Sequence, residues 1–124
     1  MSGVELYLSS RCSSCRDAQA VLADQGVVVA KRDLFYDRLS TEELTALFAR
    51  IGSTPRAMLA TRSRPYRQLD LDEKNLSDGE IVELMSEYPA LVRRPIVVAG
   101  TRAQVGFDRG AIERIVAAAK DGGS

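Results

Sequence analysis

The sequence predicts an α/β protein in which helices pack on a mixed four-stranded sheet. Three observations support this prediction. Both cysteines of the chain stand in Cys12-Ser13-Ser14-Cys15, between an apolar run and a helical pattern. Near the C-terminus, two strand-like runs are separated by Gly100-Thr101, which is typical of a hairpin. Between these halves, the stretch over about residues 35–90 carries helical patterns. The order of elements is therefore βαβ, a helical block, then ββα.

The N-terminal half begins with the apolar run Val4–Leu8, which we expect to form the first strand. The first helix is expected to begin near the cysteines and to end around Gly26. The β-branched run Val27–Ala30 predicts a second strand that leads to Arg32 and Asp33. The helix between them presents one apolar face, formed by Ala18, Val21 and Leu22.

Two capping boxes mark helices in the middle of the chain. Ser40–Glu43 and Ser77–Glu80 both place a serine three residues before a glutamate, and apolar residues follow at helical spacing. Thr54-Pro55 resembles an N-cap and first helical residue, which predicts a short helix through about Ala60. Pro89 is expected to end the last helix of this block.

The C-terminal half predicts a hairpin followed by a helix. Pro95–Ala99 and Arg102–Phe107 are the two strands, and Asp108 is placed to cap the last helix. The small tail at 121–124 is expected to fray. Together the elements predict a thioredoxin-like (glutaredoxin-like) three-layer α/β/α fold. We expect a single domain over 1–124, with a helical insertion at about 35–90.

Composition excludes several classes of function. The formal net charge is zero, so no global field attracts nucleic acid or an anionic membrane. Histidine is absent, which removes His-based acid–base catalysis, Ser–His–Asp triads and most zinc sites. No stretch approaches the length of a membrane span, and the N-terminus lacks the pattern of a signal peptide. We therefore expect a cytoplasmic protein with no metal, no membrane partner and no direct nucleic-acid partner.

The Cys-x-x-Cys motif predicts a redox-active thiol pair. A cysteine at a helix start lies against unpaired backbone N–H groups and the positive end of the helix dipole, which favours the thiolate. Cys12 is therefore the predicted nucleophile, and Cys15 is the shielded partner that resolves a mixed disulfide. Arg11, Ser13 and Ser14 in the same loop are predicted to bind an anionic substrate. The alternatives are buried core cysteines, or half of a zinc site shared across a dimer.

Arginines form a second group of candidates. Arg94 precedes Pro95, and a proline belongs at the first residue of a strand because it cannot donate to the sheet ladder. In a thioredoxin-like fold this position faces the cysteine loop. Arginine is also dense between Arg56 and Arg67, where Arg62 lies. One interpretation is a set of solvated charges; the other is that one of them, with Arg94, binds an oxyanion or a glutathione carboxylate.

Four segments that span nearly the whole chain resemble a known family. They are Cys12–Arg16, Thr61–Ser63, Tyr88–Ile96 and Gln104–Phe107. In this order they resemble the arsenate reductase-like (ArsC) family, and within it the branch that contains the Spx regulators. The resemblance implies a thioredoxin-like core with an inserted helical lobe. It also implies a cis peptide bond between Arg94 and Pro95.

The resemblance to glutaredoxin-type arsenate reductases implies one function. In those enzymes one cysteine attacks arsenate, and glutathione and glutaredoxin complete the cycle. Carried over, Cys12 is the nucleophile, and Arg62 and Arg94 are oxyanion ligands. The third anion-binding arginine of these enzymes falls near Val105, where this sequence has no arginine.

The resemblance to Spx-type proteins implies the other function. Those proteins bind RNA polymerase, and their cysteine pair senses oxidation. The glycine through which they contact the polymerase aligns near Thr54, while Gly52 lies two residues away.

The sequence thus predicts a thiol–disulfide redox protein, with glutathione/glutaredoxin-linked reduction of an oxyanion such as arsenate as its activity. No cofactor is expected to stay bound; glutathione, glutaredoxin or thioredoxin are the predicted reductants and partners. The alternative is a redox-sensing transcriptional regulator that binds RNA polymerase. We expect a monomer, because no long apolar stripe is left without a place in the core.

Overall fold

The structure, a computed structural model, describes residues 3–122, with side chains described through Ala119. The chain divides into two compact units: Met1–Leu34 with Arg94–Ser124, and Phe35–Arg93. The second unit contains the helical insertion that we expected at about 35–90. That the whole chain is a single domain stays a prediction.

The first unit is built on a four-stranded sheet. Its strands are β1 (Val4–Leu8), β2 (Val29–Asp33), β3 (Ile96–Ala99) and β4 (Arg102–Val105), in the order β2-β1-β3-β4. β1 pairs with β2 in parallel, and the pairs β1–β3 and β3–β4 are antiparallel. The mixed sheet confirms the predicted thioredoxin-like fold class.

Two helices cover one face of this sheet. They are α1 (Ser13–Asp24) and α5 (Arg109–Gly122), which contact each other. Asp108 caps α5, as predicted: its Oδ1 accepts the N–H of Ala111 at 3.0 Å. Alternate residues of β1 meet both helices in one core, formed by Val4, Leu6, Leu8, Cys15, Ala18, Val21, Leu22, Val97, Ala99, Ile112, Ile115 and Val116.

The second strand lies two residues later than predicted. Gly26, with φ +67°, ends the first helix, and Val28 is 90% exposed ahead of the strand. Pairing begins at Val29, opposite Val4, and continues through Asp33. The prediction followed the apolar run, whereas the register on β1 decides where the strand lies. Because β2 is an edge strand of the described sheet, it tolerates the charged residues in its second half.

The fourth strand is shorter than predicted. β4 ends at Val105, because Gly106 turns the chain with φ +82° and donates its N–H to the Pro95 carbonyl at 2.8 Å. At the C-terminus, α5 extends to Gly122, and the expected fraying of residues 121 and 122 stays a prediction. Residues 123 and 124 of that tail lie outside the described residues.

The second unit is helical. Its helices are α2 (Thr41–Arg50), α3 (Arg64–Gln68) and α4 (Asp78–Glu87). Single 3₁₀ turns lie between them at Arg56–Met58 and Leu71–Glu73, and a third, Pro89–Leu91, follows α4. α2 packs against α4. The buried apolar side chains of this unit are Leu39, Leu44, Leu47, Phe48, Met58, Leu59, Leu71, Ile81, Val82, Met85, Leu91 and Val92. None of the helices in the described part of the chain has the length and hydropathy that a membrane crossing requires.

Both predicted capping boxes form in this unit. Ser40 Oγ accepts the Glu43 N–H at 3.1 Å, and Glu43 Oε1 accepts the Ser40 N–H at 3.0 Å. Ser77 and Glu80 repeat the exchange at 3.2 and 3.0 Å. These reciprocal bonds satisfy N–H groups that a helix start would otherwise leave unpaired.

The helix predicted from Thr54 through about Ala60 is wrong beyond its first turn. Thr54 does act as a cap, since its Oγ1 accepts the Ala57 N–H at 3.2 Å. Only the turn Arg56–Met58 follows, because Leu59 becomes extended and forms a β-bridge with Val92. The adjacent N–H of Ala60 donates to the Leu91 carbonyl at 2.7 Å. Sheet-like pairing thus replaces the next helical turn.

The prediction missed α3 altogether. This five-residue helix buries no side chain, so its sequence carries no apolar periodicity. Its local signal is Pro65 in the first turn, where a proline fits a helix.

Candidate functional site

Cys12 occupies the N-cap of α1, as the motif predicts. Its backbone is extended (φ −96°, ψ 118°), and its Sγ accepts the N–H of Cys15 at 3.3 Å. Its carbonyl accepts the N–H of Arg16 at 3.2 Å, which starts the helix. The side chain is half-buried, and its sulfur receives a backbone donor of the first helical turn. The Cys12 sulfur therefore lies at the end of α1 where backbone N–H groups lack helical partners.

Cys15 lies one turn further along and is fully buried in the core under the sheet. Burial is the main reason why the pKa of its thiol rises from 9.0 to about 12. The hydrogen bond to the Cys12 side chain and the charge of Cys12 raise the pKa further. The backbone of Ser9 and the charge of Arg94 act in the opposite direction. Both thiols are free. Because its pKa is raised, the Cys15 thiol keeps its proton at neutral pH.

Arg94 and Pro95 reach the cysteine pair from the start of β3. The Arg94–Pro95 peptide bond is cis, and Pro95 is buried while Arg94 is half-buried. The charge of Arg94 acts on the sulfur of Cys15, so the structure brings these residues to one place. That Arg94 binds an anionic substrate stays a prediction.

The other predicted site residues of the cysteine loop are more exposed than Cys15. Arg11 and Ser13 are exposed, and Ser14 is half-buried in the first turn of α1. The backbone N–H of Arg11 donates to Ser9 Oγ at 3.3 Å, which orients the chain before Cys12. The predicted contribution of these three residues to anion binding stays a prediction.

Sequence reasoning missed Ser9 and Asp33, which hold the loop. Ser9 is the buried polar residue of the described chain at 2% exposure, and its carbonyl accepts the Cys12 N–H at 3.2 Å. Asp33 Oδ2 accepts the N–H of Ser10 at 3.1 Å. A serine just before the motif and an aspartate ending the neighbouring strand were the available signals. The role of these two residues can be recognised only from the pairing of β2 with β1.

Arg62 belongs to the second unit. It is exposed and lines a cavity of about 460 Å³ together with Arg56 and Arg93. Its predicted role beside Cys12 as an oxyanion ligand stays a prediction.

Two departures from the family pattern have a local explanation. The family resemblance implies an arginine near position 105. In this chain Val105 occupies the position and pairs with Ile96 in the hairpin. Gly52 adopts φ +69° just after α2, donating to the Ala49 carbonyl at 3.2 Å, while Ser53 donates to the Phe48 carbonyl at 2.9 Å. These bonds form a Schellman motif, so Gly52 serves to end a helix.

The chemistry available at this site is that of a dithiol. In the described part of the chain, no three His, Cys, Asp or Glu side chains come together where they could hold a metal ion. A half-exposed sulfur at a helix start and a buried sulfur one turn away can form an intramolecular disulfide.

Comparisons with known proteins agree with this geometry. Residues 7–115 match the model of the ArsC family. A global transcriptional regulator Spx from Enterococcus faecalis is 35% identical over 111 residues, which cover 90% of this chain and 84% of the relative. The Spx of Streptococcus mutans is 36% identical over 105 residues, covering 85% and 77%. An arsenate reductase from Vibrio cholerae has a similar solved structure, with a TM-score of 0.83, 32% identity, and coverage of 91% and 97%.

Proposed function

Since this chain belongs to the ArsC family, we propose that it is a thiol–disulfide redox protein in which Cys12 is the nucleophile and Cys15 the resolving thiol. One observation carries the proposal: Cys12 Sγ accepts the Cys15 N–H at 3.3 Å at the start of α1, and the Cys15 thiol is buried directly behind it. The two cysteines therefore differ in burial, as a nucleophile and a resolving thiol require.

The reaction proceeds in two exchanges. The Cys12 thiolate attacks one sulfur of a substrate disulfide, a mixed disulfide forms, and the other substrate sulfur leaves as a thiolate. Cys15 then loses its proton to solvent and attacks Cys12 Sγ. The Cys12–Cys15 disulfide forms and the second substrate thiolate departs. The substrate disulfide is reduced by two electrons, and a cellular thiol such as glutathione, glutaredoxin or thioredoxin returns Cys12 and Cys15 to the dithiol.

The order of these steps follows from the causes of the Cys15 pKa shift. Burial, the largest cause of the raised pKa, remains throughout the reaction. The hydrogen bond to Cys12 and the charge of Cys12 raise that pKa further, and both are lost when Cys12 is in a mixed disulfide. The backbone of Ser9 and the charge of Arg94 remain, and both favour the Cys15 thiolate. The resolving thiol thus becomes more acidic only after the first exchange. Unreacted protein is protected from premature attack by Cys15.

The test is to trap the intermediate. Reduced protein is mixed with glutathione disulfide and followed by intact mass. Cys15→Ser should accumulate a stable Cys12–glutathione adduct, wild type should pass on to the internal disulfide, and Cys12→Ser should give neither product. Reaction of Cys12→Ser at the wild-type rate, or unchanged multiple-turnover kinetics in Cys15→Ser, would contradict the assigned roles.

Within this chemistry, glutathione- and glutaredoxin-linked reduction of an oxyanion such as arsenate is the first candidate activity. It is supported by Arg94 beside the cysteine pair and by the similarity to an arsenate reductase. Arsenate is supplied with glutathione, glutaredoxin and thioredoxin in turn, and turnover is expected to require Cys12. An absence of turnover with all three reductants would remove this activity while leaving the thiol exchange intact.

A redox-sensing regulator that binds RNA polymerase is the second candidate. Val105 favours it, because a third charged donor for an oxyanion is missing at that position. The similarity to regulators named Spx also supports it. Its test is the binding of purified bacterial RNA polymerase to reduced protein and to protein oxidised by peroxide. A regulator requires near-stoichiometric binding that changes with oxidation and that is insensitive to oxidation in Cys15→Ser.

A further inference from the structure

The second unit contains a cavity whose lining holds neither cysteine. Its volume is about 460 Å³, within the range of small-molecule sites. Three arginines line it, Arg56, Arg62 and Arg93, beside the apolar side chains of Ala57, Leu59 and Ala60 and the hydroxyl of Thr61. None of the described residues that line it is acidic. We call this cavity the arginine pocket.

Hydrogen bonds fix two of the three guanidinium groups. Arg56 Nη2 donates to the Leu76 carbonyl at 2.7 Å, and Arg93 Nη1 donates to the Ala57 carbonyl at 3.3 Å. An arginine has five N–H donors, so each of these groups has further donors available to a ligand. Because these bonds hold the two guanidinium groups in place before a ligand arrives, less conformational entropy is lost when the ligand binds.

Backbone pairing makes the floor of the pocket rigid. Leu59 forms a β-bridge with Val92, and the N–H of Arg93 donates to the Met58 carbonyl at 3.0 Å. The N–H of Ala60 donates to the Leu91 carbonyl at 2.7 Å. These bonds join the two chain segments that carry Arg62 and Arg93, although the segments lie far apart in the sequence.

We propose that the arginine pocket binds a small organic anion through a multiply charged oxyanion group, either a phosphate or a pair of carboxylates. Three like charges in one cavity repel one another, and a dianion removes that repulsion. Guanidinium groups match the geometry of phosphate and carboxylate by paired hydrogen bonds. The volume exceeds that of a bare phosphate, and the apolar floor offers contact to the organic part of the ligand. Binding here requires no thiol, so it is independent of the proposed exchange at Cys12.

The test is calorimetric titration of the reduced full-length protein with pyrophosphate and, separately, with citrate. The phosphate probe and the carboxylate probe distinguish the two sources of charge. We expect one site per chain, with affinity reduced roughly 10- to 100-fold by Arg56→Gln and by Arg93→Gln, the range for losing a hydrogen bond to a charged group. Arg67→Gln, which removes an exposed arginine outside the pocket, should leave the affinity unchanged.

Two further variants keep the test decisive. Arg62→Gln removes a pocket charge without removing the Arg56–Leu76 or Arg93–Ala57 bond, so it should weaken binding even if those variants lose their fold by circular dichroism. Arg102→Gln removes an exposed arginine of the first unit and should leave binding unchanged, because Arg102 is outside the pocket. An absence of binding by both probes, or equal affinity in Arg62→Gln and wild type, would overturn the proposal. So would an equal loss of binding in Arg102→Gln.

Discussion

The cysteine loop of the first unit (residues 9–15) and the arginine pocket of the second use different means to favour negative charge. The loop relies on backbone: Cys12 Sγ receives a helical N–H at 3.3 Å, and Ser9 is nearly fully buried. The pocket relies on three exposed guanidinium groups. Dipoles act over short distances in a site shielded from water, whereas exposed charges act over longer distances and are screened by salt.

This difference separates the conditions to which each region responds. Burial raises the pKa of the Cys15 thiol in the loop, so the reactivity of that thiol depends on pH. Arginine stays charged at all ordinary pH values, so the pocket should respond to ionic strength instead.

The largest effect concerns the reactivity of Cys15. In Cys12→Ser the remaining thiol stays buried, and burial is the main cause that raises its pKa from 9.0 towards about 12. Each pKa unit lowers the thiolate fraction tenfold, so alkylation by iodoacetamide at pH 7.5 should be roughly 100- to 1000-fold slower than in the urea-unfolded chain. The rate constant should rise about tenfold per pH unit up to at least pH 10.

The raised pKa of Cys15 also determines how the free energy of unfolding changes with pH. Between pH 9 and 12 the unfolded chain loses the Cys15 proton and the folded chain keeps it, so the free energy of unfolding should fall as pH rises. The slope is at most about 1.4 kcal/mol per pH unit. Cys15→Ala is the matched control and should lack this component. Similar alkylation rates in folded and unfolded Cys12→Ser would remove the contrast between the two thiols.

The second prediction compares how anion binding in the arginine pocket and the reaction of the cysteine loop respond to salt. Pyrophosphate affinity should fall several-fold between 20 and 300 mM salt, because screening shortens the reach of exposed charges. The affinity for citrate, whose three carboxylates are fully ionised over this range, should change little between pH 7.5 and 9. The reaction of Cys12 with a neutral disulfide, measured by stopped-flow absorbance, should change little with salt, because the backbone N–H donor to Cys12 Sγ carries no net charge. Salt-independent affinity for pyrophosphate would mean that the three guanidinium groups do not act through their charge.

Fold elements with a local side-chain signal could be predicted from the sequence. The capping boxes at Ser40 and Ser77, the cap at Asp108 and the turn at Gly100 all form as expected. Elements determined by a distant partner were misplaced. The position of β2 depends on its register with β1, and the helix after Thr54 stops because of a bridge between Leu59 and Val92. Neither partner is visible in a short window of sequence.

The same distinction holds for the candidate site. Cys12 and Cys15 are neighbours in the chain, and one helix start fixes both, so spacing was sufficient. Arg94 was found through the proline that follows it. Asp33 and the arginine pocket were not predicted, because they arise from pairing between segments up to 37 residues apart, as between Arg56 and Arg93. Exposed arginines have no periodicity that would reveal which of them share a cavity.

The third effect tests whether side chains as well as backbone hold the loop. Ser9→Ala removes the oxygen that accepts the Arg11 N–H at 3.3 Å, while the backbone bonds of Ser9 remain. We expect a loss of about 0.5–1.5 kcal/mol in the free energy of unfolding. The Cys12 reaction should slow by a few-fold. Urea denaturation and the rate with a disulfide reagent measure the two effects. Ser10→Ala, which removes an exposed hydroxyl, is the control; equal losses in both variants would argue against a role for the Ser9 side chain.

The smallest effect gives the second unit a pH dependence of its own, in acid. The pKa of Glu80 lies below its usual value, because the carboxylate accepts the backbone N–H and interacts with the side chain of Ser77. A lowered pKa stabilises the folded state above pH 4.5, and this contribution is lost as pH falls through the folded-state pKa. Glu80→Gln keeps an acceptor for the Ser77 N–H but does not titrate. Its urea midpoint should therefore fall less than that of wild type between pH 5.5 and 3. Parallel curves for the two proteins would show that this capping box acts through hydrogen bonding alone, and the second unit would then lack this acid dependence as well.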